Sequence, residues 1–149
     1  MRRHTRFALF TAPVLLASAA APAAYADGVV NVVLEDASDG GGINGMTMTA
    51  TPNSVKAGRV TINASNRSKA LVHEVIVVRP PANGAPLPYD DNAGRVLEDK
   101  IADLGEVSDL PPGKSGSLTV RLKPGNYLLI CNQPNHYKAG MSTRLAVIQ

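Results

Sequence analysis

Apolar residues in this chain recur at every second position, in short runs that Gly, Pro or Asn soon interrupts, and that rhythm excludes most folds. Residues 59–65 (RVTINAS) put Val60, Ile62 and Ala64 on one side of an extended chain, and 117–122 (SLTVRL) alternates as cleanly. Residues 46–51 (MTMTAT) carry Met46, Met48 and Ala50 on one side, which reads as core rather than as a thioether-rich metal site. A period of two belongs to a strand with one buried face; an amphipathic helix repeats every ~3.6 residues. Residues 29–35, 127–131 and 142–148 are further strand candidates. Asp39-Gly40-Gly41-Gly42, Thr51-Pro52-Asn53, Pro111-Pro112-Gly113 and Pro124-Gly125 supply turns between the strands. Residues 71–79 (LVHEVIVVR) are apolar almost without a break, as in a strand buried on both faces. About eight short strands separated by turn signals predict an all-β, Greek-key β-sandwich. One stretch departs from the rhythm. Residues 80–103, rich in Pro, Gly, Asn and Asp, form a long excursion before the later strands, with a short helix predicted near 95–102.

The first residues read as a leader rather than as part of this fold. Arg2, Arg3 and Arg6 precede a short apolar core at residues 7–16, and Ala24-Tyr25-Ala26 fits the small-x-small pattern of a signal-peptidase site. The apolar core contains Pro13 and is short for a membrane span. We therefore expect residues 1–26 to be a cleaved signal peptide and residues 27–149 to be one exported domain, periplasmic or secreted, with no membrane span. Removing the three arginines brings the 15 Lys and Arg of the chain down to parity with its 12 Asp and Glu. A nearly neutral domain lacks the basic face that nucleic-acid binding requires.

Cysteine usage narrows the chemistry. Exported proteins usually carry cysteines in pairs, yet this chain has Cys131 alone. Beyond the leader the chain has two histidines, His73 and His136, and three methionines. Cys131 closes a predicted strand, His136 lies in the loop that follows, and Met141 precedes the next strand, a Cys-x4-His-x4-Met spacing. A hairpin loop brings its two ends together, so these three side chains approach one point, and His73 on a separate strand can close the site from the side. Two imidazoles, a thiolate and a soft thioether suit a trigonal His2Cys copper site with a weak axial Met. A structural zinc site would favour a fourth strong ligand. A bridged two-copper centre needs two thiolates. No acidic residue stands out in the sequence as a partner orienting either histidine, which weighs against a nucleophilic-cysteine enzyme. The pairs Asp90-Asp91 and Glu98-Asp99 lack a calcium-loop pattern and read as a solvated face.

Residues 125–141 (GNYLLICNQPNHYKAGM) resemble the C-terminal copper loop of the cupredoxins, the plastocyanin and azurin superfamily, and Val72-His73-Glu74 resembles the strand carrying their first ligand. The loop length is similar to that of rusticyanin-type members. The resemblance implies a type 1 (blue) copper protein, not an enzyme, that carries single electrons outside the cytoplasm. Its one copper ion would be held by His73, Cys131, His136 and Met141. It also implies a monomer that docks transiently with redox partners around His136, through a patch made by Pro134, Tyr137, Ala139 and Gly140. A periplasmic copper carrier or storage protein with the same ligands is the alternative, and a metal-free recognition sandwich is a more distant one. Many cupredoxins have Asn after the first histidine; here Glu74 stands there, as a hydrogen-bond acceptor, an extra ligand or a solvated strand residue.

Overall fold

The computed structural model describes residues 28–36 and 45–149. The leader expected over residues 1–26 and the turn at Asp39-Gly40-Gly41-Gly42 lie outside them.

Alternation in the sequence becomes two packed sheets. The first joins β1 (Gly28–Glu35), β2 (Thr47–Thr51), β4 (Gly58–Asn66) and β9 (Ser115–Leu122) in the order β2-β1-β4-β9, with β1 and β4 parallel and the other pairs antiparallel. The second joins β3 (Ser54–Lys56), β5 (His73–Arg79), β8 (Ala102–Leu110), β10 (Gly125–Ile130) and β11 (Ser142–Ile148) in the order β3-β11-β10-β5-β8. Val30, Val32 and Leu34 of β1 and Val60, Ile62 and Ala64 of β4 point inward against Val75, Val77, Leu129 and Leu145 from the second sheet. Met46, Met48 and Ala50 belong to the same core, as their shared side predicted. The chain is an all-β sandwich, as the period-two pattern requires.

β5 is apolar on both faces for a reason that lies in the excursion. Val75 and Val77 face the sandwich core, whereas Ile76 and Val78 form a second cluster with Leu87, Val96 and Ile130. Residues 80–101 thus fold back over the outer face of the second sheet. They hold a two-stranded hairpin, β6 (Tyr89–Asp90) and β7 (Arg95–Val96), and a single 3-10 turn at Glu98–Lys100 in place of the helix predicted near 95–102. Leu97, which precedes that turn, makes no side-chain capping hydrogen bond.

β8 is the longest of the strands that sequence reading missed. It lies at the sheet edge, and of its nine residues only Val107 and Leu110 are buried. Its pairing with β5 is also broken by two register shifts. An edge strand with two buried residues three positions apart leaves little alternation to read. Among the described residues no helix is long and apolar enough to cross a membrane.

Candidate metal centre

Three strand ends converge at one end of the sandwich. His73 is the first residue of β5, and its entry is held by Asn66, which ends β4. The Asn66 side chain donates to the carbonyls of Leu71 (2.8 Å) and Leu110 (2.7 Å) and accepts from the Ser68 N–H (2.9 Å). Cys131 directly follows β10, and Met141 directly precedes its antiparallel neighbour β11. The loop between them is closed at its base by Cys131 N–H donating to the Met141 carbonyl (3.1 Å), and Met141 N–H donates to the His136 carbonyl (3.0 Å). Asn135 takes a left-handed φ of 68°, a conformation Asn tolerates, so the loop turns sharply just before His136.

The outcome is a compact set of donors. Nδ1 of His73 lies 3.2 Å from Nδ1 of His136. Cys131 Sγ lies 3.4 Å from His136 Nδ1 and 3.9 Å from His73 Nδ1. His73 and Cys131 are wholly buried, and His136 is 6% exposed. Met141 is wholly buried in the adjoining core. The expected grouping of His73, Cys131 and His136 is therefore present, with Met141 bonded through its backbone into the same loop. His136 is buried, more enclosed than a loop-tip residue is expected to be. Around it Pro134 and Gly140 are exposed, and Tyr137 and Ala139 are half-buried.

Burial sets the protonation states. It pulls the His136 pKa down to about 4, with the neighbouring His73 pushing the same way. His73 is also lowered by burial, although the hydrogen bond and charge of Asp36 oppose this. Both imidazoles are thus neutral at pH 7, so each has one ring nitrogen with a lone pair to offer a cation. Burial pushes the Cys131 thiol up to about 11, with the Glu74 charge adding to the rise, despite hydrogen bonds from the backbone N–H groups of Gln133 and Glu74. The thiol keeps its proton unless a cation displaces it.

Two carboxylates support this cluster. Glu74 is 6% exposed and accepts the backbone N–H of Asn132 at 2.9 Å. Of the three readings weighed for Glu74, the structure supports the hydrogen-bond acceptor. Its pKa is raised to about 7, chiefly by burial, with Glu106 and Glu98 adding to the effect and the Asn132 N–H and Arg95 opposing it. The second is Asp36, just beyond β1, whose Oδ1 lies 3.2 Å from His73 Nε2. The sequence offered no evident acidic partner for either histidine; the fold supplies one for His73. Asp36 is 37 positions from His73 in the chain, and the parallel pairing of β1 with β4 brings it there, a contact no local motif encodes.

The donor set fits one copper ion. Metal–nitrogen bonds of about 2.0 Å and metal–sulfur bonds of about 2.3 Å, values typical of zinc, space trigonal donors by about 3.5 to 3.7 Å. The observed separations of 3.2, 3.4 and 3.9 Å bracket that range. A mixed imidazole and thiolate set, with Met141 buried in the same core cluster as Cys131, suits both copper oxidation states.

No protein-family model and no curated protein sequence matches this chain. Solved structures do. Auracyanin A, a "blue" copper protein from the green thermophilic photosynthetic bacterium Chloroflexus aurantiacus, is 27% identical, with 80% of this chain and 99% of that one covered at a TM-score of 0.57. Dithionite-reduced auracyanin from the photosynthetic bacterium Roseiflexus castenholzii is 23% identical over 80% of this chain and 97% of its own, at a TM-score of 0.53. Rusticyanin from Thiobacillus ferrooxidans is 20% identical, covering 83% of this chain and 79% of its own, at a TM-score of 0.57.

Proposed function

We propose that this chain, which has the cupredoxin fold, is a blue copper protein that carries single electrons between partners outside the cytoplasm. The observation that carries the reading is the triangle of His73 Nδ1, His136 Nδ1 and Cys131 Sγ, with sides of 3.2 to 3.9 Å. It is supported by the likeness to auracyanin A, described as a blue copper protein. In this reading His73, His136 and Cys131 would hold the ion, with Met141 as a weak fourth ligand.

Bound copper supplies a one-electron couple between Cu(I) and Cu(II). The protein's part is to hold still. His73 and Cys131 sit at the ends of neighbouring antiparallel strands. The Glu74–Asn132 hydrogen bond joins the residues that follow them. A frame fixed in this way keeps the imidazole nitrogens and the sulfur in place through both charge states, which lowers the rearrangement each transfer requires. His136 lies nearest the surface of the three, so the exposed Pro134 and Gly140 beside it form the proposed docking patch. A nucleophilic role for Cys131 is disfavoured: its thiol is wholly buried and its pKa is pushed up to about 11. Export through a leader at residues 1–26 belongs to the same proposal; sequencing the N-terminus of the exported product should place its start near Asp27.

Addition of Cu(II) to the purified domain, followed by visible spectroscopy, is the test. The expected result is an intense sulfur-to-copper charge-transfer band that is lost on reduction and absent in Cys131→Ser. Met141→Leu should keep the band and shift the potential. A colourless wild-type product would overturn the reading.

A further inference from the structure

Asp36 has no counterpart in the motif that identified the site, and its surroundings are specific. One carboxylate oxygen, Oδ1, meets His73 Nε2 at 3.2 Å. The other, Oδ2, accepts the backbone N–H groups of Lys69 (3.0 Å) and Ala70 (3.2 Å). The Asp36 side chain is 5% exposed and that of His73 is not exposed at all. A carboxylate bonded at both oxygens cannot rotate, and as an acceptor it leaves His73 one arrangement: Nε2 carries the proton and donates it, while the Nδ1 lone pair faces Cys131 and His136. No comparable contact appears at His136 among the described residues.

We infer that Asp36 is a positioning residue, which selects the Nε2–H tautomer of His73 and strengthens its Nδ1 as a donor toward Cu(II). The inference rests on the copper reading for its metal arm alone. A carboxylate behind a ligand imidazole fixes ring orientation and raises basicity, and loss of such a partner costs about 10- to 100-fold in metal affinity. Its negative charge also favours the more positive metal state. Asp36→Asn has one acceptor oxygen where Asp36 uses two. It can serve the Lys69 and Ala70 N–H groups or His73, but not both.

The experiment has two arms. In the metal-free wild type, 15N NMR of the imidazoles should find His73 as the Nε2–H tautomer; a predominant Nδ1–H form would overturn the inference with no metal involved. In Asp36→Asn the Nε2–H population should fall. With copper bound, Cu(II) affinity should drop by about tenfold or more relative to Cu(I). Tenfold corresponds to a rise in reduction potential of about 59 mV for one electron. Ser68→Ala is the control: it removes the Ser68 Oγ–H to Leu71 carbonyl bond (2.7 Å) in the same loop without touching His73. An equal shift of potential in Ser68→Ala, or none in Asp36→Asn, would overturn the inference. If wild type binds no copper, the copper reading falls and the tautomer measurement alone decides the role of Asp36.

Discussion

The Glu74 carboxylate accepts the backbone N–H of Asn132 at 2.9 Å, so the residue after one site histidine is bonded to the residue after the site cysteine. β5 and β10 pair through Leu128, Leu129 and Ile130 against Val78, Val77 and Ile76. Beyond the last of these pairs the strands run on to His73 and Cys131, and the Glu74–Asn132 contact is the polar bond that continues their alignment to the site. A buried carboxylate in that role is costly, and the cost makes it testable.

Glu74→Ala leaves the buried Asn132 N–H without its acceptor and should lower the stability of the metal-free protein by about 1–3 kcal/mol in urea denaturation. Glu74→Gln keeps an acceptor and should behave differently with pH. The folded pKa of about 7 exceeds the ordinary value of 4.5, so ionising Glu74 weakens the fold as pH rises through that window. Relative to the parent, Glu74→Gln should therefore gain stability between pH 4.5 and 8, by at most about 3 kcal/mol. A difference that does not change with pH would show that Glu74 is not raised.

His136 acts in the opposite sense. Its folded pKa, pulled down to about 4 by burial and by His73, lies below the unfolded value of 6.5. Its neutral form is thus favoured by folding: stability is complete above pH 6.5 and is lost as pH falls toward 4, by on the order of 3 kcal/mol. Proton NMR of the metal-free chain should give His136 a midpoint near 4 and leave it uncharged at pH 6. A midpoint at 6.5 would mean a solvated ring.

Asn132 ties the excursion to the site loop. Its Oδ1 accepts from Val96 N–H (2.6 Å), and its amide donates to the Val96 carbonyl (3.0 Å) and to Glu98 Oε1 (2.7 Å). Asn132→Ala strands a buried N–H on Val96 and should cost about 1–3 kcal/mol. Amide hydrogen exchange at Val96 should quicken markedly, and unchanged protection there would contradict the contact.

Tyr127 provides a test of the scaffold away from the site. Its hydroxyl donates to the Lys123 carbonyl (2.8 Å) and accepts from Arg79 (2.6 Å). Tyr127→Phe should lower stability by about 1–2 kcal/mol. Cys131 is four residues further along, about 13 Å of extended chain, so the imidazole NMR signals of His73 and His136 should not move. Displaced signals would mean that the strand transmits strain to the site.

Much of this molecule is legible residue by residue. Alternation in β2, β4 and β9 marks inward faces because side chains of a strand must point to opposite sides, whatever the partner. The Cys131, His136 and Met141 spacing is equally local: a loop between adjacent antiparallel strands brings its ends together. β8 was not legible, since an edge strand with two buried residues has scarcely any period to detect. Nor was the hairpin of the excursion, although the unbroken apolar run of β5 implied that something covers its second face.

The chain by itself determined an all-β sandwich and placed a thiol, an imidazole and a thioether on one loop, because these depend on periodicity and on short spacings. Tertiary structure alone decided which carboxylates serve the site. Asp36 reaches His73 through the pairing of β1 with β4, and Glu74 reaches Asn132 across 58 positions of sequence. Contacts between residues so far apart are set by which strands lie side by side, and strand order is a property of the assembled sheets that no single segment carries.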